Sequence, residues 1–181
     1  LIVEALATCI FARIKGYKLT RLFYTWTFYP VLIVQCLLVA FQASIFFRTY
    51  YFVRFVPLLE PVVIFSFAFA MFKYKLYKPA VAGSASVVVG TLLNKLVIAR
   101  NGGQMPVFPS LSYVTGYVTR DMLSSVDSLH VLGSDAAKLK IFTDYIDFGY
   151  SILSIGDVFI HLFFCIMLYH LIAASNKDIK E

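Results

Sequence analysis

The stretch Val31-Leu32-Ile33-Val34-Gln35-Cys36-Leu37-Leu38-Val39-Ala40-Phe41-Gln42-Ala43-Ser44-Ile45-Phe46-Phe47 carries no charged residue. A water-soluble core does not need so long an uninterrupted apolar run, whereas a hydrocarbon layer of roughly 30 Å needs about 20 helical residues. Working outward, similar runs recur along the 181 residues, separated by short basic connectors. Hydrophobic residues make up 60% of the chain and charged ones 14%. The pattern predicts an all-α, polytopic membrane helical bundle in one domain, with about five transmembrane helices and one large extracytoplasmic loop.

The helices are expected near residues 1–12, 22–47, 55–72, 79–99 and 151–174, with the loop at 100–150. Twelve residues cover only about 18 Å as a helix, so the first segment either extends upstream or locally thins the bilayer. Its basic flank follows the apolar run, the reverse of a cleaved signal peptide. The second segment is entered through the aromatics Phe23, Tyr24, Trp26, Phe28 and Tyr29, an interfacial belt. Pro30 should kink that helix or mark its true start. Pro57 suits a first helical turn, and Pro61 predicts a local break.

Charge distribution gives the sidedness. The connectors 13–21 and 73–78 and the tail after Asn176 hold nine of the sixteen basic residues. Placed in the cytoplasm by the positive-inside rule, they put the N-terminus outside, the C-terminus inside and the 100–150 loop outside. The formal net charge of +6 forms no basic stripe with stacking aromatics, so nucleic acid is not an expected partner. Cys9, Cys36 and Cys165 lie in apolar segments without metal-like spacing and read as small buried hydrophobes. No metal, cofactor or catalytic residue is assigned.

Polar groups at costly depths mark the candidate sites. Ala82, Ser86, Gly90 and Asn94 recur at four-residue intervals and share one helix face. Such a small-residue groove serves either internal packing or docking of another membrane subunit. Lys95 lies roughly 6 Å below the outer end of its helix, and Asp157 roughly 9 Å below the start of the last. Their similar depth predicts that they pair; otherwise Lys95 snorkels and Asp157 caps its helix. His161 follows Asp157 by one turn, a spacing suited to proton relay but too sparse for a metal. With Glu4 and Glu60, these residues predict a polar vestibule beneath the loop. Within the loop, Asn101-Gly102-Gly103-Gln104-Met105-Pro106 reads as a turn with a positive-φ glycine and exposed amides. Leu111, Val114, Val118, Met122, Val126 and Leu129 recur at three and four, predicting an amphipathic helix, with His130 after it.

Three motifs, Asn94-Lys95-Leu96 through Asn101-Gly102-Gly103-Gln104-Met105-Pro106-Val107, then His130-Val131-Leu132, then Ser154-Ile155-Gly156-Asp157-Val158, carry a resemblance. The chain resembles a family of small bacterial polytopic membrane proteins catalogued only as a domain of unknown function. The resemblance implies a bacterial plasma-membrane protein with an extracytoplasmic loop, and groups the glycine turn, His130 and Asp157 as one outer site. It departs from the family at Phe142-Thr143-Asp144-Tyr145-Ile146-Asp147-Phe148, where the family tends toward a proline-rich Leu-Gly-Asp segment.

The expected function is therefore a non-enzymatic membrane subunit. It would bind a partner protein or small-molecule ligand at its outer face through Lys95, Asn101, Gly102, Gly103, Met105, Pro106, His130, Asp157 and His161. Alternatives are a small solute-binding transporter component, or an outer-face enzyme using His130 or His161 as acid–base.

Overall fold

A computed structural model of the chain describes residues 2–47, 49–119 and 129–178. Contacts divide it into two compact units, one built from Leu1–Ala43, Tyr51–Ser86 and His161–Glu181, the other from Ser44–Tyr50 and Val87–Ile160.

Helix α1 covers Ile2–Ile14 and α2 covers Tyr29–Phe46, joined through short 3-10 turns at Leu19–Tyr24 and Trp26–Phe28. Pro30 is the second residue of α2, where its missing amide hydrogen costs nothing, so it marks a start and not a kink. The third apolar segment is a 3-10 turn, Tyr50–Phe55, followed by α3, Val56–Ser66, and α4, Ala68–Tyr74. Pro61 lies inside α3, and the break expected there falls instead at Phe67. Phe67 is 1% exposed and packs edge-on against Phe163 and Phe164, at 5.9 and 5.7 Å between centroids. Burial of that one ring fixes the junction of the two short helices.

Helix α5 spans Tyr77–Arg100 and α7 spans Ile155–Asp178; the intervening α6 is the five-residue turn Leu111–Thr115. Among the described residues, three helical stretches are long and apolar enough to cross a membrane: Trp26–Phe46, Tyr77–Arg100 and Ile155–Lys177. A shorter apolar stretch runs from Pro61 to Tyr74. Exposed Ile33, Leu37 and Val39 on α2, and Val81, Val88 and Leu92 on α5, give these helices the apolar surfaces that lipid contact requires.

The connection between α5 and α7 is not helical throughout. Strands β1, Met105–Val107, and β2, His130–Leu132, pair in parallel, and β3, Ile146–Asp147, pairs antiparallel with β4, Ile152–Leu153. The long amphipathic helix expected from Leu111 is not formed. Helix α6 stops at Gly116, whose φ of 74° is left-handed and ends the spiral after one turn. Met122 and Val126 lie outside the described residues.

Two glycines set the distance between α5 and the start of α7 in the second unit. A β-carbon on Gly90 would stand 2.3 Å from the carbonyl oxygen of Gly156, and one on Gly156 would stand 1.9 Å from Oδ1 of Asn94. The Gly90–Asn94 part of the small-residue stripe is therefore filled by the chain's own last helix. Docking of another subunit at that part has no room, while Ala82 on the same stripe is exposed. Because the backbone carbonyl of Gly156 is the obstacle, Gly90→Ala is expected to destabilise by about 2 kcal/mol or more. Thermal unfolding in detergent measures this, and an unchanged midpoint would refute the close approach.

Candidate functional site

The second unit is assembled by hydrogen bonds that trace directly to the three sequence motifs. Helix α5 ends when the Gly103 amide donates to the carbonyl of Ile98 at 2.9 Å, with Gly102 left-handed at φ 70° between them. That is a Schellman C-cap, and it turns the Gly103 amide back onto the helix. Asn101 then fastens a distant segment: its Nδ2 donates to the carbonyls of Val97 and Lys138, and its Oδ1 accepts from the Lys138 amide at 2.8 Å. The glycine turn thus acts as a helix stop and a splice, with Gly103's amide unavailable to an anion.

Strand β1 follows at once, and Met105, Pro106 and Val107 are all buried. Met105 and Pro106, expected at a binding surface, are core residues. Met105 pairs with His130, and Val107 bridges Asp144, also in parallel. The Asp144 amide donates to Pro106 at 3.1 Å, and its carbonyl accepts from Phe108 at 2.7 Å. Residues 105 and 107 share a face of the strand, so their partners His130 and Asp144 project to one side from its two edges. Their side chains meet there, with His130 Nε2 3.5 Å from Asp144 Oδ2.

Asp144 is the unusual group. Its side chain is 7% exposed, and its Oδ1 is buried without a hydrogen-bond partner among the described residues. Leaving such an acceptor unmet costs about 1–3 kcal/mol. Burial, reinforced by the charge of Asp157, pushes the Asp144 carboxyl up to about 8. The His130 contact lies at the outer limit of a hydrogen bond and leaves burial dominant. At neutral pH Asp144 is mainly a carboxylic acid, able both to donate and to accept.

Asp157 plays a different part. Its Oδ2 accepts from the Ser154 amide at 2.8 Å, and its own amide donates to Ser154 Oγ at 2.9 Å. This reciprocal pair is a capping box at the start of α7. Asn94 Nδ2 donates to Asp157 Oδ1 at 2.8 Å, and Ser154 Oγ donates to Asn94 Oδ1 at 2.9 Å. The expected Lys95–Asp157 pair is not formed. Lys95 is exposed and joins no ion pair among the described residues. One position along a helix turns a side chain by about 100°, which separates it from the Asn94 face.

A second carboxylate, missed in the sequence, organises the neighbouring turn. Asp147 accepts from the amides of Ser110, Ser112 and Gly149 and from Ser112 Oγ, at 2.6–2.8 Å. Burial alone would raise its pKa, but the Ser112 hydroxyl and the three amides outweigh it and hold the carboxyl below its usual value. In the first unit, His161 Nδ1 lies 2.7 Å from Glu4 Oε1, so its carboxylate partner is on α1 and not the expected Asp157. Glu60's side chain lies outside the described residues. Among the described residues no three His, Cys, Asp or Glu side chains group closely enough for a metal ion.

The two aspartates pull stability in opposite directions with pH. Asp144 binds its proton more tightly folded than unfolded, so stability falls as pH rises from its unfolded value of 3.8 to about 8. Asp147 binds its proton less tightly when folded, so its contribution is lost as pH drops below 3.8. Unfolding in detergent should show greatest stability in mildly acid solution. Asp144→Asn should remove most of the loss toward alkaline pH, and a slope identical to the parent's would contradict the assignment.

No curated protein and no solved structure matches the chain. A family profile does, over residues 19–169, spanning all three motifs and both residues of the His130–Asp144 contact. On that match the chain belongs to DUF5317, a family of unknown function.

Proposed function

We propose that the chain is a non-enzymatic subunit of the bacterial plasma membrane that binds a small ligand or partner at its extracytoplasmic face. The Asp144 carboxyl and the His130 imidazole form the contact. One observation carries this reading: a carboxyl oxygen is buried in the second unit with no donor to accept from among the described residues. Proteins seldom leave such an atom unmet, and it is relieved by a donor from outside the chain. The ligand chemistry that fits is an N–H or O–H donor, with an ammonium group favouring the ionised carboxyl. Asn101, Gly102 and Gly103 anchor the site's frame, Asp157 caps the helix beneath it, and Lys95 and His161 drop out of it.

The orientation that supports an outer-face site is the one charge distribution predicts, with nine of sixteen basic residues assigned to the cytoplasm. Five crossings would combine the three long helices with α1 and the α3–α4 pair. A Ser134→Cys probe in a background with Cys9, Cys36 and Cys165 changed to serine should react with an impermeant maleimide on intact cells. Protection there, with labelling only after lysis, would reverse the orientation.

The His130–Asp144 contact also favours a second reading, an outer-face catalyst in which the pair serves as acid and base. Native mass spectrometry of the gently extracted protein separates the two. A binding subunit should carry a bound mass, and Asp144→Asn should weaken its retention about tenfold. A parent protein that carries no ligand or partner from its own membrane would count against the binding reading.

A further inference from the structure

Beyond that site, we propose that the first unit holds a basic rim that binds the headgroups of anionic phospholipids. The strap between α1 and α2 gathers the ends of several helices. The Lys18 amide donates to Asn176 Oδ1 at 2.9 Å, Asn176 Nδ2 returns a bond to the Lys18 carbonyl at 3.1 Å, and Arg21 Nη1 donates to the Asn176 carbonyl at 2.5 Å. Seven residues on, Thr25 Oγ1 lies 2.6 Å from the Tyr74 hydroxyl and accepts from Lys73 Nζ at 3.5 Å. The strap therefore ties the end of α7 to the end of α4.

This splice collects cations that are scattered in the sequence. Lys18 and Arg21 lie on the strap, Arg13 and Lys15 lie where α1 enters it, Lys73 and Lys75 lie at the end of α4, and Lys177 follows Asn176. All but Arg21 are exposed. Among the described residues no ion pair ties Arg13, Lys15, Lys18, Arg21, Lys75 or Lys177 to a carboxylate. Like charges held together repel, and a multivalent anion relieves that repulsion.

The position of the rim selects the anion. Each of the three membrane-length stretches has one end here: Trp26 begins one, Tyr77 begins another and Lys177 ends the third. Tyr24, 82% exposed, and Trp26, 57% exposed, lie on the same strap, and such aromatic side chains gather at the level where hydrocarbon meets headgroups. Phosphodiester groups are concentrated at that level. Arg21 has one nitrogen committed to Asn176, leaving the rest of its planar fork for a phosphate.

The test offers delipidated protein equimolar phosphatidylglycerol and phosphatidylcholine in mild detergent and reads retained lipid by native mass spectrometry. The parent should favour phosphatidylglycerol by about tenfold, and added salt should erode the preference. The combined variant Lys18→Gln, Arg21→Gln, Lys73→Gln, Lys177→Gln should bring the ratio close to one. Lys138→Gln with Lys140→Gln, in the other unit, should leave it intact. Equal retention by the parent, an undiminished preference in the combined variant, or an equal loss in the second-unit control would each overturn the proposal. If the combined variant does not fold, Lys18→Gln with Lys177→Gln removes two charges and no side-chain hydrogen bond, and a parent-like ratio there overturns it equally.

Discussion

Everything in the second unit depends on how closely the C-terminal part of α5 approaches the first turn of α7. Gly90 and Gly156 let the two backbones meet, and Asn94 reaches across that contact to bond both Asp157 and Ser154. A helix start held this way has its amides satisfied by its own capping box, and the box is in turn held by the neighbouring helix. Asp157, which looked like part of a membrane-embedded site from its depth, is consumed with Asn94 in making this joint.

With both helix ends fixed, the chain between them has to close back on itself. Asn101 holds the backbone at Lys138, and β1 recruits β2 on one edge and Asp144 on the other. His130 and Asp144 are brought together by strand register, at the cost of burying a carboxyl. Asp147 uses its four donors to fix the adjacent turn and stays ionised. The two aspartates stand three residues apart, yet environment gives them opposite preferences, one for the proton and one for the charge. That contrast is why Asp144 reads as a binding group and Asp147 as a structural one.

Features written in consecutive residues were legible in the sequence. Apolar runs located the long helices, one of the two roles offered for Pro30 was the start of α2, and Asn101-Gly102-Gly103 marked the end of α5. The alternative role given to Asp157, capping its helix, is the one the structure displays. Features that need distant partners were not legible. Glu4 and His161 are separated by 157 residues, and nothing local announces their contact. Asp144 meets His130 through an isolated bridge and a pair of three-residue strands, too short for any period to register. Depth alone suggested Lys95 for Asp157, but the direction of a helical side chain decided for Asn94. The stripe from Leu111 had the right spacing for a helix, and Gly116 stopped it.

The proposed binding rests on one state of one group, a protonated, buried Asp144 with an open acceptor. Infrared difference spectroscopy with isotope-labelled aspartate reads that state directly, through the carbonyl stretch of an un-ionised carboxyl group. Such a band is expected at mildly acid pH, with its loss above about 8 and its absence from Asp144→Asn. A parent protein whose aspartates are all ionised at mildly acid pH, or a band that survives the substitution, would contradict it.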